Sequence, residues 1–151
     1  MPSQLHRELK QEKPWALQDE AYLNLQRSAE VLLDSLSVLL KPYQLTAPQY
    51  NVLRILRGAG PKGLACGQIG ERMLNRDPDV TRLADRLETT GLVSRSRDSQ
   101  DRRVITIRIT KLALELLDRL DEPVRELHRR QFQKLSNPQL VTLIELLESS
   151  R

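Results

Sequence analysis

The chain has one cysteine, two histidines, one tryptophan and one phenylalanine in 151 residues, and aromatics make up only 3% of it. A single thiol, Cys66, cannot form an intrachain disulfide, so no disulfide scaffold is implied. His6 and His128 lie far apart in sequence and no second cysteine accompanies them. A protein metal site therefore lacks its ligand set, and no cofactor is expected. Glycine-rich phosphate loops, His and acid pairs at ligand spacing, and a nucleophile with its base are also missing, which argues against an enzyme. Asp98 and Asp101 bracket a loop full of arginine, a setting that suits salt bridges better than acid catalysis. No apolar run reaches transmembrane length and the N-terminus lacks a signal-peptide core, so a soluble cytoplasmic protein is the expectation. There is no internal repeat and no low-complexity tract.

What is present is leucine and charge. The apolar fraction is 39%, and leucine supplies most of the candidate core, which suits a largely helical chain. The length fits one compact domain with an appended oligomerisation part. The net charge of +4 is unevenly spread: residues 46–111 hold 13 Lys/Arg against 7 Asp/Glu, so the rest of the chain is acidic by two. That local surplus fits phosphate contact, although a solvated basic surface would look the same by charge alone.

The surplus coincides with residues 78–109, PDVTRLADRLETTGLVSRSRDSQDRRVITIRI. Val80, Leu83, Ala84 and Leu87 recur at i, i+3, i+4 and i+7, the spacing of a helix with one dry face. Thr81, Arg82, Asp85, Arg86 and Thr89 fall on the other face. Asp77 is the expected N-cap, with Pro78 at the first helical position and Gly91 as a left-handed stop. Two alternating strands follow. In the second, Val104, Thr106 and Arg108 share one face and Ile105, Ile107 and Ile109 the other. A polar helix face beside a hairpin with an arginine-loaded tip is a shape that reads duplex DNA, the helix in the major groove and the tip on the backbone or in the minor groove.

Residues 1–16 read as a polar, mobile arm, with Trp15 as its hydrophobic anchor or, alternatively, a ligand-stacking ring. A long helix over 17–41 carries a wide stripe, Ala21 or Tyr22, Leu25, Ala29, Leu32 or Leu33, Leu36 and Leu39 or Leu40, and a stripe that wide packs on more than one neighbour. Thr46 and Gln49 form a capping-box pattern ahead of a helix that buries Val52, Leu53 and Leu56. A third helix over 64–74 has Ile69 and Met73 inward, Gly70 allowing close approach of the next helix, and Ala65 where a capping residue is expected. After the hairpin, a helix over 110–134 points Leu112, Leu116, Leu117, Leu120, Val124 and Leu127 inward and should kink at Pro123. Ser136 caps a last helix with Pro138 in its first turn. Two short helices, a tight turn and a hairpin make a winged helix-turn-helix.

Val80-Thr81-Arg82-Leu83, Asp85-Arg86-Leu87-Glu88, Gly91-Leu92-Val93 and Asp101-Arg102-Arg103, in that order and between long helices, resemble the MarR (multiple antibiotic resistance regulator) family of bacterial and archaeal transcription factors. The resemblance runs over about residues 17–149. It implies a mainly α chain: a winged helix-turn-helix at 46–109 with a small antiparallel β-hairpin wing, between dimerisation helices at 17–45 and 110–151. It implies a homodimer on a pseudo-palindromic double-stranded operator, acting as a repressor and answering to a small-molecule effector or oxidant, with no membrane partner. By position, Pro78, Thr81, Arg82 and Arg86 would lie at or near the major groove. Arg102 would enter the minor groove, Asp101 would orient a wing arginine, and Arg95, Arg97 and Arg103 would contact phosphate or brace the wing. Acid at the helix start, Asp77 and Asp79, favours the helix dipole but repels phosphate, and one of the two is assigned to accept from a cytosine amino group.

Plainer accounts compete with each assignment. Arg82 and Arg86 could pair along the helix with Asp79, Asp85 or Glu88, and Arg102 could be an ordinary surface residue. Cys66, near a helix start, is a candidate redox sensor or an inert packed thiol. Tyr22, Tyr43 and Tyr50 could line an effector cavity or simply pack. A winged helix used for protein–protein contact, or a non-specific DNA binder, is the alternative to a regulator.

Overall fold

A computed structural model describes residues 3–76 and 79–151. In chain order, α1 spans Gln4–Glu8, α2 Leu17–Leu40, α3 Ala47–Ala59, β1 Leu64–Ala65, α4 Cys66–Arg72, α5 Val80–Thr89, β2 Val93–Arg97, β3 Ile105–Ile109, α6 Lys111–Gln131 and α7 Asn137–Ser149. A short 3-10 turn, Lys41–Tyr43, closes α2, and Gln44 in the left-handed region (φ +56°) turns the chain toward α3. The architecture is mainly α with a small winged sheet.

Several starts and stops follow the local chemistry. At Thr46 both halves of the capping box form: Thr46 Oγ1 accepts from the Gln49 amide (3.3 Å), and Gln49 Oε1 accepts from the Thr46 amide (2.9 Å). Ala65 has no side-chain acceptor, so only the second half survives there, with Gln68 Oε1 taking the Ala65 amide at 3.0 Å. Thr110 caps α6 through the Ala113 amide (3.3 Å). Ser136 precedes α7, and its amide donates to Gln139 Oε1 at 2.8 Å.

The sheet has three strands in the order β1-β3-β2, all antiparallel, where the sequence predicts a two-stranded hairpin. Leu64 pairs with Ile107 and Ala65 with Thr106, so the expected helix over 64–74 opens with a strand and α4 begins only at Cys66. The pairing is non-local, which hides it from local periodicity. Gly63 permits it: its φ is +69°, and an added Cβ would sit 2.3 Å from the Ile107 carbonyl oxygen. Gly70 is different. A Cβ there would meet Val80 Cγ2 at 3.7 Å, an ordinary contact, so the approach of α5 does not require glycine.

One core joins the winged part to the long helices. Leu40 from α2, Val52, Leu53 and Leu56 from α3, Ile69 from α4, Ala84 and Leu87 from α5, Ile107 from β3 and Leu117 and Leu120 from α6 belong to one buried cluster. In α6 the inward position falls on Ala113, while Leu112 is 51% exposed, a correction to the predicted stripe. Either residue satisfies helical spacing with Leu116 and Leu120, so spacing alone does not choose between them. Helix α6 continues unbroken through Pro123.

The N-terminal arm is folded against the molecule. Ser3 caps α1, Leu5 and His6 are buried, and the Trp15 ring lies on the His6 ring at a centroid distance of 4.1 Å. Glu8 reaches Arg27 of α2 at 3.7 Å. Trp15 is thus an anchor, and its partner is the only other ring in the arm.

A bidentate ion pair links α3 to α6. Arg57 Nη1 and Nη2 donate to the two Asp121 oxygens at 2.9 and 2.8 Å, and Asp118 stands 3.7 Å from the same guanidinium. The Arg57 bonds hold the Asp121 carboxyl below the usual carboxylate range. Its folded value is the depressed one, so its stabilising contribution is present above the unfolded value, about 3.9, and fades as pH falls through the lower folded value.

By contrast, the apolar faces of α2 and α7 are mostly uncovered. In α2 only Leu40 is buried, with Val38 72% exposed, and in α7 no residue is buried, with Leu146 65% exposed. Both are amphipathic or apolar helices that one chain does not bury.

The two glycines separate a required one from a dispensable one. Gly63→Ala should lower stability by at least about 2 kcal/mol, from the left-handed conformation and the clash with β3. Gly70→Ala should leave stability unchanged or raise it by up to roughly 1 kcal/mol, the helix-propensity difference. Urea unfolding of both variants checks this.

Candidate nucleic-acid interface

The candidate interface is built from α4, α5 and the β2–β3 wing. Asn51 of α3 holds the turn after α4, its Oδ1 accepting from the Leu74 amide at 3.1 Å. Helix α5 starts at Val80, and Asp79 is its N-cap, with Oδ1 accepting from the Arg82 amide at 3.1 Å. The predicted cap and opening proline, Asp77 and Pro78, lie outside the described residues. The cap therefore falls two residues later than predicted, because Asp79 stands directly before the first helical turn. One oxygen of Asp79 is thereby committed to the helix.

Val80, Ala84 and Leu87 face the core, and Thr81, Arg82, Asp85 and Arg86 are exposed, as the spacing predicts. The helix ends in a Schellman motif: Leu92 N–H donates to Leu87 O and Gly91 N–H to Glu88 O, both at 2.9 Å, with Gly91 at φ +75°. Thr110 fastens this exit to α6. Its hydroxyl donates to Gly91 O at 2.8 Å and its amide to Leu92 O at 3.1 Å.

The arginines divide into two groups. Arg95, half-buried on β2, donates to the Asp85 carboxylate and to Thr81 O (3.3 Å), with Glu88 3.9 Å away. It braces the wing strand against α5, and Asp85 is occupied with it. Arg97 Nη1 donates to Arg102 O at 3.1 Å, which ties the hairpin loop to its own strand. Asp101 does not orient an arginine side chain as expected. Its Oδ1 accepts from the Arg103 amide at 3.0 Å, and its carbonyl accepts from Val104 N–H at 3.0 Å, so it shapes the turn of the loop. Asp98 does the same one step earlier, taking the Gln100 amide at 2.8 Å. A carboxylate two residues from a free amide closes this local ring more readily than it reaches a flexible guanidinium.

The second group is Arg82 and Arg86 on α5 and Arg102 and Arg103 at the loop. All four are exposed, and among the described residues none forms an ion pair. The pairing along α5 that competes with a DNA role is therefore not made. The acids that could serve it are engaged elsewhere, Asp79 in the cap and Asp85 with Arg95. Sequence reading missed Asn51, whose partner is 23 residues away and leaves no local signature.

The three tyrosines do not line one cavity. Tyr22 is exposed on α2, and Tyr50 is buried in α3 with the Arg54 guanidinium 5.9 Å from its ring centroid. Tyr43 borders a hollow of about 330 Å³, shared with Gln44, Thr90, Leu112 and Arg119. A second hollow of about 410 Å³ lies between α2 and the start of α3, beside Leu33, Ser37 and Pro48. Cys66, the first residue of α4, is half-buried against the core. Among the described residues no group of His, Cys, Asp or Glu could hold a metal ion, and no helix is long and apolar enough to cross a membrane.

Comparison with known proteins agrees with this geometry. The MarR family model matches residues 45–105. The HTH-type transcriptional repressor IacR of Pseudomonas putida is 32% identical over 110 residues, spanning 73% of this chain and 65% of that protein. A MarR transcription factor from Planctomyces limnophilus is 41% identical, with a TM-score of 0.70 over 90% of this chain and 98% of the other. A mutant of MarR from E. coli, solved in complex with operator DNA, has the same fold at 22% identity (TM-score 0.79, covering 90% and 99%).

The bracing assigned to Arg95 has a direct readout. Arg95→Ala should leave the helices intact but speed amide hydrogen exchange in β2 and β3. The expected loss is about 1 kcal/mol of local stability, below the full value of a charged hydrogen bond because Asp85 is exposed. Unchanged wing exchange would contradict it.

Proposed function

The chain belongs to the MarR family of transcription regulators, and on that premise we propose that it is a repressor whose homodimer occupies a pseudo-palindromic operator. The observation that carries this reading is the division of the arginines. Arg95 is engaged with α5 and Arg97 with its own hairpin loop, while Arg82, Arg86, Arg102 and Arg103 are left exposed on one helix and one loop tip. Thr81, Arg82 and Arg86 then read or flank bases in the major groove. Arg102 reaches the minor groove, and Arg103 meets phosphate. Asp79 keeps one oxygen for a cytosine amino group beyond its cap.

Two copies associate through the uncovered faces of α2 and α7, which makes residues 17–45 and 110–151 the dimerisation part and 46–109 the reading head. Half-sites about one helical turn apart, roughly 10 bp, let both α5 helices enter one DNA face. A small ligand or an oxidant that changes their separation would release DNA by its differential affinity for the two arrangements. The Tyr43 hollow, at the junction of α2, α5 and α6, is a fitting place for such a ligand.

Selection of bound duplexes from a random pool, at fixed salt and with Arg82→Ala as control, tests the reading. An inverted repeat recovered by the native protein and degraded by the variant is expected. Recovery without sequence preference would point to binding by charge alone, and recovery of nothing to a protein-binding winged helix. On the selected duplex Arg102→Ala should weaken binding by roughly 1–3 kcal/mol, and affinity should fall steeply with salt.

A further inference from the structure

The winged part is fastened to α6 by polar bonds at two separated places. The first is Thr110, which joins the exit of α5 and the start of β2 to the first turn of α6. The second is Arg57, at the far end of α3, whose two guanidinium nitrogens grip both oxygens of Asp121. Along α6 the two are eleven residues apart, roughly 16 Å at the helical rise. One attachment is a pivot; two attachments define an angle. Both helices also feed leucine and valine side chains into the shared buried cluster, and apolar burial is non-directional: it resists separation but does not by itself fix an angle.

The chemistry of the second attachment is directional. A planar guanidinium held by both oxygens of a carboxylate fixes orientation as well as distance, which a lysine ammonium would not do. Asp118 stands one turn earlier on α6 and adds a second negative charge on the same side. The pair is partly shielded, with Arg57 28% and Asp121 34% exposed at the side chain, so screening weakens it less than an open surface pair. Helix α3 also packs against α5 and supplies Asn51 to the turn before it, so the angle of α3 is passed to the recognition helix.

We propose that the Arg57–Asp121 pair is a positioning contact that sets the angle of the reading head on α6, and through it the half-site spacing that the dimer accepts. This rests on the dimeric operator-binding reading above. Spacing is a sensitive reporter, because one base-pair step is only about 3.4 Å along the DNA axis. Two heads tilting in a symmetric dimer shift their separation together.

The test is a series of duplexes carrying the selected half-sites with the spacer lengthened or shortened by one and two base pairs. Affinities are measured for the native protein, Asp121→Asn and Arg57→Lys, with thermal unfolding recorded for each. The native protein should bind the selected spacer at least about tenfold more tightly than its neighbours. Both variants should flatten that preference to about threefold or less while binding a lone half-site as the native protein does. Arg57→Lys keeps the charge and loses the fork, so it isolates geometry and stands in if Asp121→Asn fails to fold. Native spacing preference in a folded variant would overturn the inference and leave the operator reading intact. A native protein indifferent to spacing would overturn both.

Discussion

The dry stripe of α5 is the constraint on which the rest depends. Val80, Ala84 and Leu87 enter the same buried cluster as Leu53, Ile107 and Leu117, so α5 has one permitted rotation about its axis. At that rotation Thr81, Arg82 and Arg86 must face water. The core therefore does for the reading head what a mounting does for an instrument: it aims the polar face without touching it. The same cluster contains Leu40 of α2 and Leu120 of α6, so the head and the long helices share an interior and do not behave as beads on a string.

Around that core, charge is sorted by use. Five aspartates each have a task within the chain: Asp79 at the start of α5, Asp85 with Arg95, Asp98 and Asp101 in the loop, and Asp121 with Arg57. Once these are committed, Arg82, Arg86, Arg102 and Arg103 remain exposed and without an ion pair among the described residues, on one helix face and the wing tip. A surplus that looks modest as a net charge becomes a concentrated field at one surface, and phosphate responds to such a field. The uncovered leucines of α2 and α7 have the complementary meaning, since one chain leaves apolar surface there that a second copy could remove from water.

Much of this was legible because it is local. The i, i+3, i+4, i+7 spacing of α5, the Gly91 stop, the Thr46–Gln49 box and the alternation of β3 each involve residues a turn or two apart. What was missed needs distance. Strand β1 exists only because Leu64 meets Ile107, and Asn51 meets Leu74 across 23 residues. The Arg57–Asp121 pair spans 64 residues, and no spacing rule reaches that far. Other misses were choices between near-equals, in which packing decided: Ala113 over Leu112 for the inner position of α6, and Asp79 over Asp77 for the cap. The folded arm follows from a contact between His6 and Trp15 that composition, polar and charged, argued against. The exposure of the proposed site arginines was legible from spacing, yet not their division of labour, since Arg95 and Arg102 look alike until one of them is seen to be occupied.

On the proposed function, two copies of this chain act together on one duplex. Sedimentation equilibrium measures it most directly, with the protein alone and then with a duplex carrying both half-sites. The account predicts twice the 17.4 kDa chain mass without DNA, and two chains per duplex with it. A single chain mass at micromolar concentration, bound one per duplex, would contradict it.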